Sequence, residues 1–136
     1  MGARFDPERF AERLDDFSRA VDRLEEAMDR PEDEFVRDAI IQRFEFSYEL
    51  AWKTMRDWLA AKEIDVRNPR DTLIAAVEQG LIDDGNAWSS LQKERNLTTH
   101  TYDQEKADEV VAFLRSRGLD LLKGARERLI QWRPTK

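Results

Sequence analysis

Residues 43–59 read RFEFSYELAWKTMRDWL. Glycine and proline are absent from Glu34 to Lys62, so nothing local interrupts a helix there, and the spacing predicts one over about that range. On a helical wheel Asp38, Gln42, Glu45, Glu49, Lys53 and Arg56 gather in one narrow polar stripe. Much of the remaining circumference is apolar: Phe35, Ala39, Ile40, Ile41, Phe44, Phe46, Tyr48, Leu50, Ala51, Trp52, Met55, Trp58 and Leu59. A helix apolar over more than half its circumference needs partners on several sides. It is therefore the central helix of a bundle, or part of it lies in a dimer interface. Arg43, Ser47 and Thr54 fall inside the apolar arc. Arg43 and Ser47 are candidates for supporting a site or an interface; equally, the serine can bond its own helix backbone and the arginine can snorkel.

The flanking segments are helical too. Phe10, Leu14, Phe17, Val21, Leu24 and Met28 step by four and three along one face. Asp6-Pro7 is a start signal, and Arg30-Pro31-Glu32-Asp33 breaks the run. Asn68-Pro69 opens a short helix through Leu73, Ile74 and Val77, closed by Gly80. Asp83 or Asp84 caps a fourth helix carrying Trp88 and Leu91. The last helix starts near Asp103 and carries Ala107, Val111, Leu114, Leu121, Ala125 and Trp132, with Val110, Leu122 and Leu129 alongside. Gly118 stays in phase with that face, which predicts a close helix crossing and not a break. The pattern predicts an all-α fold: an up-and-down four-helix bundle with one additional short helix. One domain is expected over 1–136, ordered from about 5 to 132, with a frayed Pro-Thr-Lys tail.

Composition narrows the function. Charged residues at 38% and hydrophobic ones at 40% fit a soluble globular chain. No stretch approaches a membrane span and the N-terminus has no apolar run, so a cytoplasmic protein is expected. Zero cysteines exclude disulfide and thiolate chemistry. With a single histidine and no Glu-x-x-His pair, neither a zinc nor a di-iron site is expected, and no Gly-rich phosphate loop is present; no cofactor and no metal are predicted. A net charge of −6 argues against a large basic footprint for duplex nucleic acid, while leaving room for a small local basic site.

The single histidine sits in ERNLTTHTYD, residues 94–103. Thr98, Thr99 and Thr101 are modest helix formers, so the fourth helix should end near Thr98. Residues 99–102 are expected to form a short irregular or extended link that puts His100 and Tyr102 on one side. Asp103, or Thr101 with Gln104, caps the next helix. Arg95 continues the apolar face of Trp88 and Leu91, and an arginine in that setting wants an anion or a carboxylate. Cation, imidazole and phenol at one helix junction suit phosphate chemistry. A structural reading is also open: Arg95 pairs with Glu45 or Glu49, and His100 and Tyr102 merely cap or pack.

Arg95-Asn96-Leu97-Thr98-Thr99-His100-Thr101-Tyr102 has the form Arg-x4-His-x-Tyr. It resembles the signature of the HEPN superfamily, all-α domains that include many metal-independent ribonucleases. Residues 43–59 resemble the helix typical of one branch, the nucleotidyltransferase substrate-binding proteins. The resemblance runs from about Phe5 to Trp132. It implies a homodimer in which two Arg-His motifs face each other, and a minimal nucleotidyltransferase as partner. It also implies a toxin–antitoxin pairing in which this chain cuts RNA and the partner adenylates Tyr102. Arg95 and His100 are then catalytic, with Asn96 and Tyr102 in the site. The resemblance equally admits a non-catalytic subunit that presents substrate to the nucleotidyltransferase.

Overall fold

The computed structural model describes residues 4–134; the expectations for the first three residues and for Thr135 and Lys136 lie outside them. Helix α1 spans Pro7–Met28. Asp6 caps it through the amides of Glu8 and Arg9, and Pro7 enters where no amide is needed. The expected stripe from Phe10 to Met28 is buried throughout. Asp33 then caps α2, Glu34–Ala60, at the amide of Val36. Helix α3 spans Pro69–Glu78 with Asn68 as its cap, and Gly80 ends it at φ 77°, in the left-handed region that glycine adopts freely. Helix α4 spans Gly85–Leu97, and its cap is Asp84.

Helix α2 is the central element. It packs along α1 and also touches α3, α4, α5 and α6. Its apolar arc is largely absorbed inside the bundle: Ile40, Phe44, Tyr48, Ala51, Met55 and Leu59 are inaccessible or nearly so. Phe35 and Phe46 are not; they remain 82% and 58% exposed. Four long helical segments, with short α3 between the second and third, make up the bundle.

Two local features depart from the sequence expectation. The link after α4 is a 3₁₀ turn over Thr98–His100, more regular than the irregular or extended link expected. Threonine hydroxyls at 98, 99 and 101 each bond a carbonyl three residues back, at 2.7, 3.0 and 3.3 Å, which stabilises the tighter turn. The last helix is continuous as expected, but α5 (Gln104–Phe113, capped by Asp103) joins α6 (Leu119–Gln131) through a π turn at Leu114–Gly118. The wider turn retards the helical phase downstream. Leu122 and Leu129 consequently fill the core, while Leu121 is only half-buried and Trp132 is exposed at the end. A Cβ on Gly118 would lie 2.7 Å from Leu114 and 3.2 Å from Leu91 of α4, which is the close crossing expected there.

Candidate functional site

The end of α4, the 3₁₀ turn and the start of α5 carry the motif beside the middle of α2. Arg95 sits in the last turn of α4, and its side chain is about a quarter exposed. One guanidinium nitrogen donates to Thr98 Oγ1 at 3.1 Å. Glu45 and Glu49 of α2 flank it, at 3.7 Å and 4.0 Å. Both are ion-pair distances without a hydrogen bond, so the carboxylates hold Arg95 in place without consuming its donors. Thr98 Oγ1 also lies 3.1 Å from Glu45 and 2.7 Å from the Arg95 carbonyl, and its single hydrogen serves one of the two. Glu49 accepts the Trp52 indole N–H at 3.0 Å.

His100 ends the 3₁₀ turn on the surface. Its ring meets that of Tyr102 edge to face, with centroids 6.0 Å apart. Tyr102 is 86% exposed. The two rings meet as expected, but a turn and not an extended segment brings them together. Asn96 is exposed next to Arg95, and its carbonyl accepts from Thr99.

Arg43 and Ser47 are not brought to this cluster. Arg43 turns to α1 and donates to the Arg23 carbonyl at 2.6 Å. Ser47 is fully buried and bonds back to the Arg43 carbonyl at 2.8 Å. Thr54 does the same with Leu50 at 2.6 Å.

Sequence reasoning did not single out Tyr48 or Glu94. Among the described residues, the buried side-chain polar atoms without a protein partner are Tyr48 Oη, Glu94 Oε1 and Arg95 Nε. Burial pushes the Tyr48 phenol far up, the charge of Glu49 adds to that, and Arg95 opposes it. Burial is also the main reason the Glu94 carboxyl rises from 4.5 to about 7; a hydrogen bond that the protonated carboxyl donates to Glu109 and that residue's charge contribute, against Lys93. Tyr48 follows Glu45 by three residues and Glu94 precedes Arg95, so adjacency to the motif's neighbours was the available signal. Among the described residues there is no cluster of three or more metal-ligating side chains, and no helix is long and apolar enough to cross a membrane.

A helical bundle with Arg-x4-His-x-Tyr folded over a helix junction is a HEPN-like arrangement. The chain belongs to the family described as nucleotidyltransferase substrate binding protein like, whose model matches residues 12–131. A probable ribonuclease HepT of Haemophilus influenzae is 43% identical over 77 residues, a stretch that is 53% of this chain and 53% of that protein. The match thus spans about half the length of that relative. Two solved structures share the fold at 29% identity. A Thermus thermophilus protein superposes with a TM-score of 0.73, covering 87% of this chain and 99% of its own. A Haemophilus influenzae protein superposes at 0.66, covering 93% and 100%, and is described as revealing the fold of a substrate-binding domain of a nucleotidyltransferase.

Proposed function

We propose that this chain is a metal-independent endoribonuclease that acts as a homodimer, the toxin component of a pair whose nucleotidyltransferase partner adenylates Tyr102. The observation that carries the reading is the surface pairing of His100 with Tyr102 one short turn after Arg95, whose guanidinium makes one hydrogen bond and only long ion pairs. One His100 removes the proton from a ribose 2′-hydroxyl, and that oxygen attacks the adjacent phosphorus. The bond to the 5′-oxygen breaks, and the second subunit's copy of this histidine, or water, protonates the leaving oxygen. A 2′,3′-cyclic phosphate and a 5′-hydroxyl result. Arg95 stabilises the charge gathered on the phosphoryl oxygens. A single imidazole on an open surface supplies one proton-transfer group, which is why a second copy completes the site. Asn96 stands next to the reacting phosphate, and the exposed phenol of Tyr102 is accessible to a modifying partner.

A second reading is favoured by Glu45 and Glu49, whose negative charge beside Arg95 weakens its grip on a polyanion. In that reading the chain is a non-catalytic subunit presenting a nucleotide or phosphate to the nucleotidyltransferase. The test is incubation of purified, unmodified protein with total RNA in EDTA, beside His100→Ala. Cleavage by wild type alone supports the ribonuclease; a folded wild-type dimer that leaves RNA intact moves the subunit reading ahead.

A further inference from the structure

The furrow between α1 and α2 carries charge and an aromatic ring that the motif does not use. Arg19 and Arg23 on α1, with Arg43, Phe46 and Leu50 on α2, line a cavity of about 440 Å³. A second hollow, of about 230 Å³, adjoins it on the other side of Arg43, against Arg30 and Glu26. Arg19 and Arg23, four apart, lie on one side of α1, and Arg30, just past the helix end, lines the adjoining hollow with Arg43. Arg19 is tied to Asp15 and Asp16, at 3.0 and 2.9 Å. Arg23 and Arg43 differ: the Arg43 guanidinium is anchored on the Arg23 carbonyl, and among the described residues neither arginine has a carboxylate at ion-pair distance. Four guanidiniums meet Asp15, Asp16 and Glu26 along the furrow, a small local positive excess in a chain of net charge −6. Neighbouring like charges repel, and an anion relieves that repulsion. Phe46, 58% exposed, adds a flat apolar surface at the rim.

We propose that this furrow binds single-stranded RNA, with Arg23 and Arg43 on phosphates and Phe46 stacked on an unpaired base. Arg19 and Arg23 lie one turn apart on α1, about 6 Å at the helical rise, and Arg30 follows the helix end, so the furrow is long enough for more than one phosphate. Phe46 follows Glu45, whose carboxylate flanks Arg95, so furrow and motif border the same turn of α2. The choice of RNA over another polyanion rests on the ribonuclease reading; the binding itself does not require cleavage.

The test titrates a short fluorescent oligouridylate into full-length His100→Ala protein, and into the same protein carrying Arg23→Glu or Phe46→Ala. The parent binds in a salt-sensitive way. Each added substitution weakens binding on the order of tenfold, and Arg23→Glu lowers the salt slope by about one. Both side chains are exposed, so melting temperatures stay the same. No binding by the parent, or equal binding by all three, overturns the proposal. Loss of dimer in Phe46→Ala by sedimentation velocity also overturns it, because the furrow is then a protein contact. AMP competing as well as the oligonucleotide overturns the strand assignment. Cleavage is scored separately on wild type. RNA bound through the furrow but left uncut sinks the ribonuclease and keeps the furrow; RNA cut with the furrow variants binding normally does the reverse.

Discussion

Along α1, Phe10, Leu14, Phe17, Val21 and Leu24 are almost inaccessible, and α2 meets them with Ile40, Phe44, Ala51, Met55 and Leu59. Polar groups caught in this half satisfy themselves locally: Ser47 and Thr54 bond their own helix, and Arg13 meets Asp57 at 2.8 Å. At α4 and the stretch of α2 that carries Glu45 and Glu49 the balance is different. The unpartnered buried atoms belong to Tyr48 of α2 and to Glu94 and Arg95 of α4, and His100 and Tyr102 of the motif lie open to solvent. Buried polar groups are ordinarily paired, so a concentration of unpaired ones marks a place shaped by something other than stability. One half of the molecule makes the fold stand; the other leaves polar capacity unspent next to a histidine and a tyrosine.

Substitutions on either side test that contrast. The largest effect is expected from His100→Ala, which lowers RNA cleavage on the order of 10² to 10⁴-fold and leaves the melting temperature where it was. Phe17→Ala should do the opposite, costing about 3–5 kcal/mol of stability by chemical denaturation with no loss of activity in the fraction that stays folded. If His100→Ala also unfolds the protein, the histidine belongs to the structural half. Arg95→Ala is intermediate. Its ion pairs are long and its side chain is partly exposed, so stability should fall by about 1 kcal/mol or less, while cleavage drops on the order of 10² to 10³-fold. A loss of several kcal/mol without any change in activity would make Arg95 a structural ion-pair residue.

Glu94 gives a pH test. Its folded-state carboxyl is raised from 4.5 to about 7, so the native state holds a proton that the unfolded chain releases. This group therefore makes the protein progressively less stable as pH rises from 4.5 to about 7, with no further change above. Glu94→Gln should flatten that limb in melting curves taken at mildly acid and mildly alkaline pH; an unchanged limb means another group is responsible. The smallest effect is expected from Tyr48→Phe. Removing a buried hydroxyl that has no partner should change stability by no more than about 0.5 kcal/mol. A large loss of activity in that variant would instead show the hydroxyl serving a bound ligand.

The helices were readable because each is punctuated by residues with a local mechanism. Asp6-Pro7, Asn68-Pro69 and Gly80 act where the sequence implied, Asp84 and Asp103 are the caps among the alternatives it offered, and the stripe of α1 is buried residue for residue. The motif was readable as a spacing, and so were Glu45 and Glu49 as carboxylates for Arg95. The 3₁₀ turn was not, because three threonines favour leaving a helix but do not say into what; their hydroxyl bonds to nearby carbonyls decide it. Nor was the π turn, which ends at Gly118, where the helix closes on Leu91. Caps, periodicity and the aromatic second helix are local properties, fixed by residues within a turn or two of one another. Which apolar residues of α2 would stay outside, that Arg43 would turn to α1, and that the Tyr48 hydroxyl and one Glu94 oxygen would be buried without partners depended on the packing of the helices. These depend on which surfaces meet, and a wheel drawn for one helix does not contain the neighbouring helix.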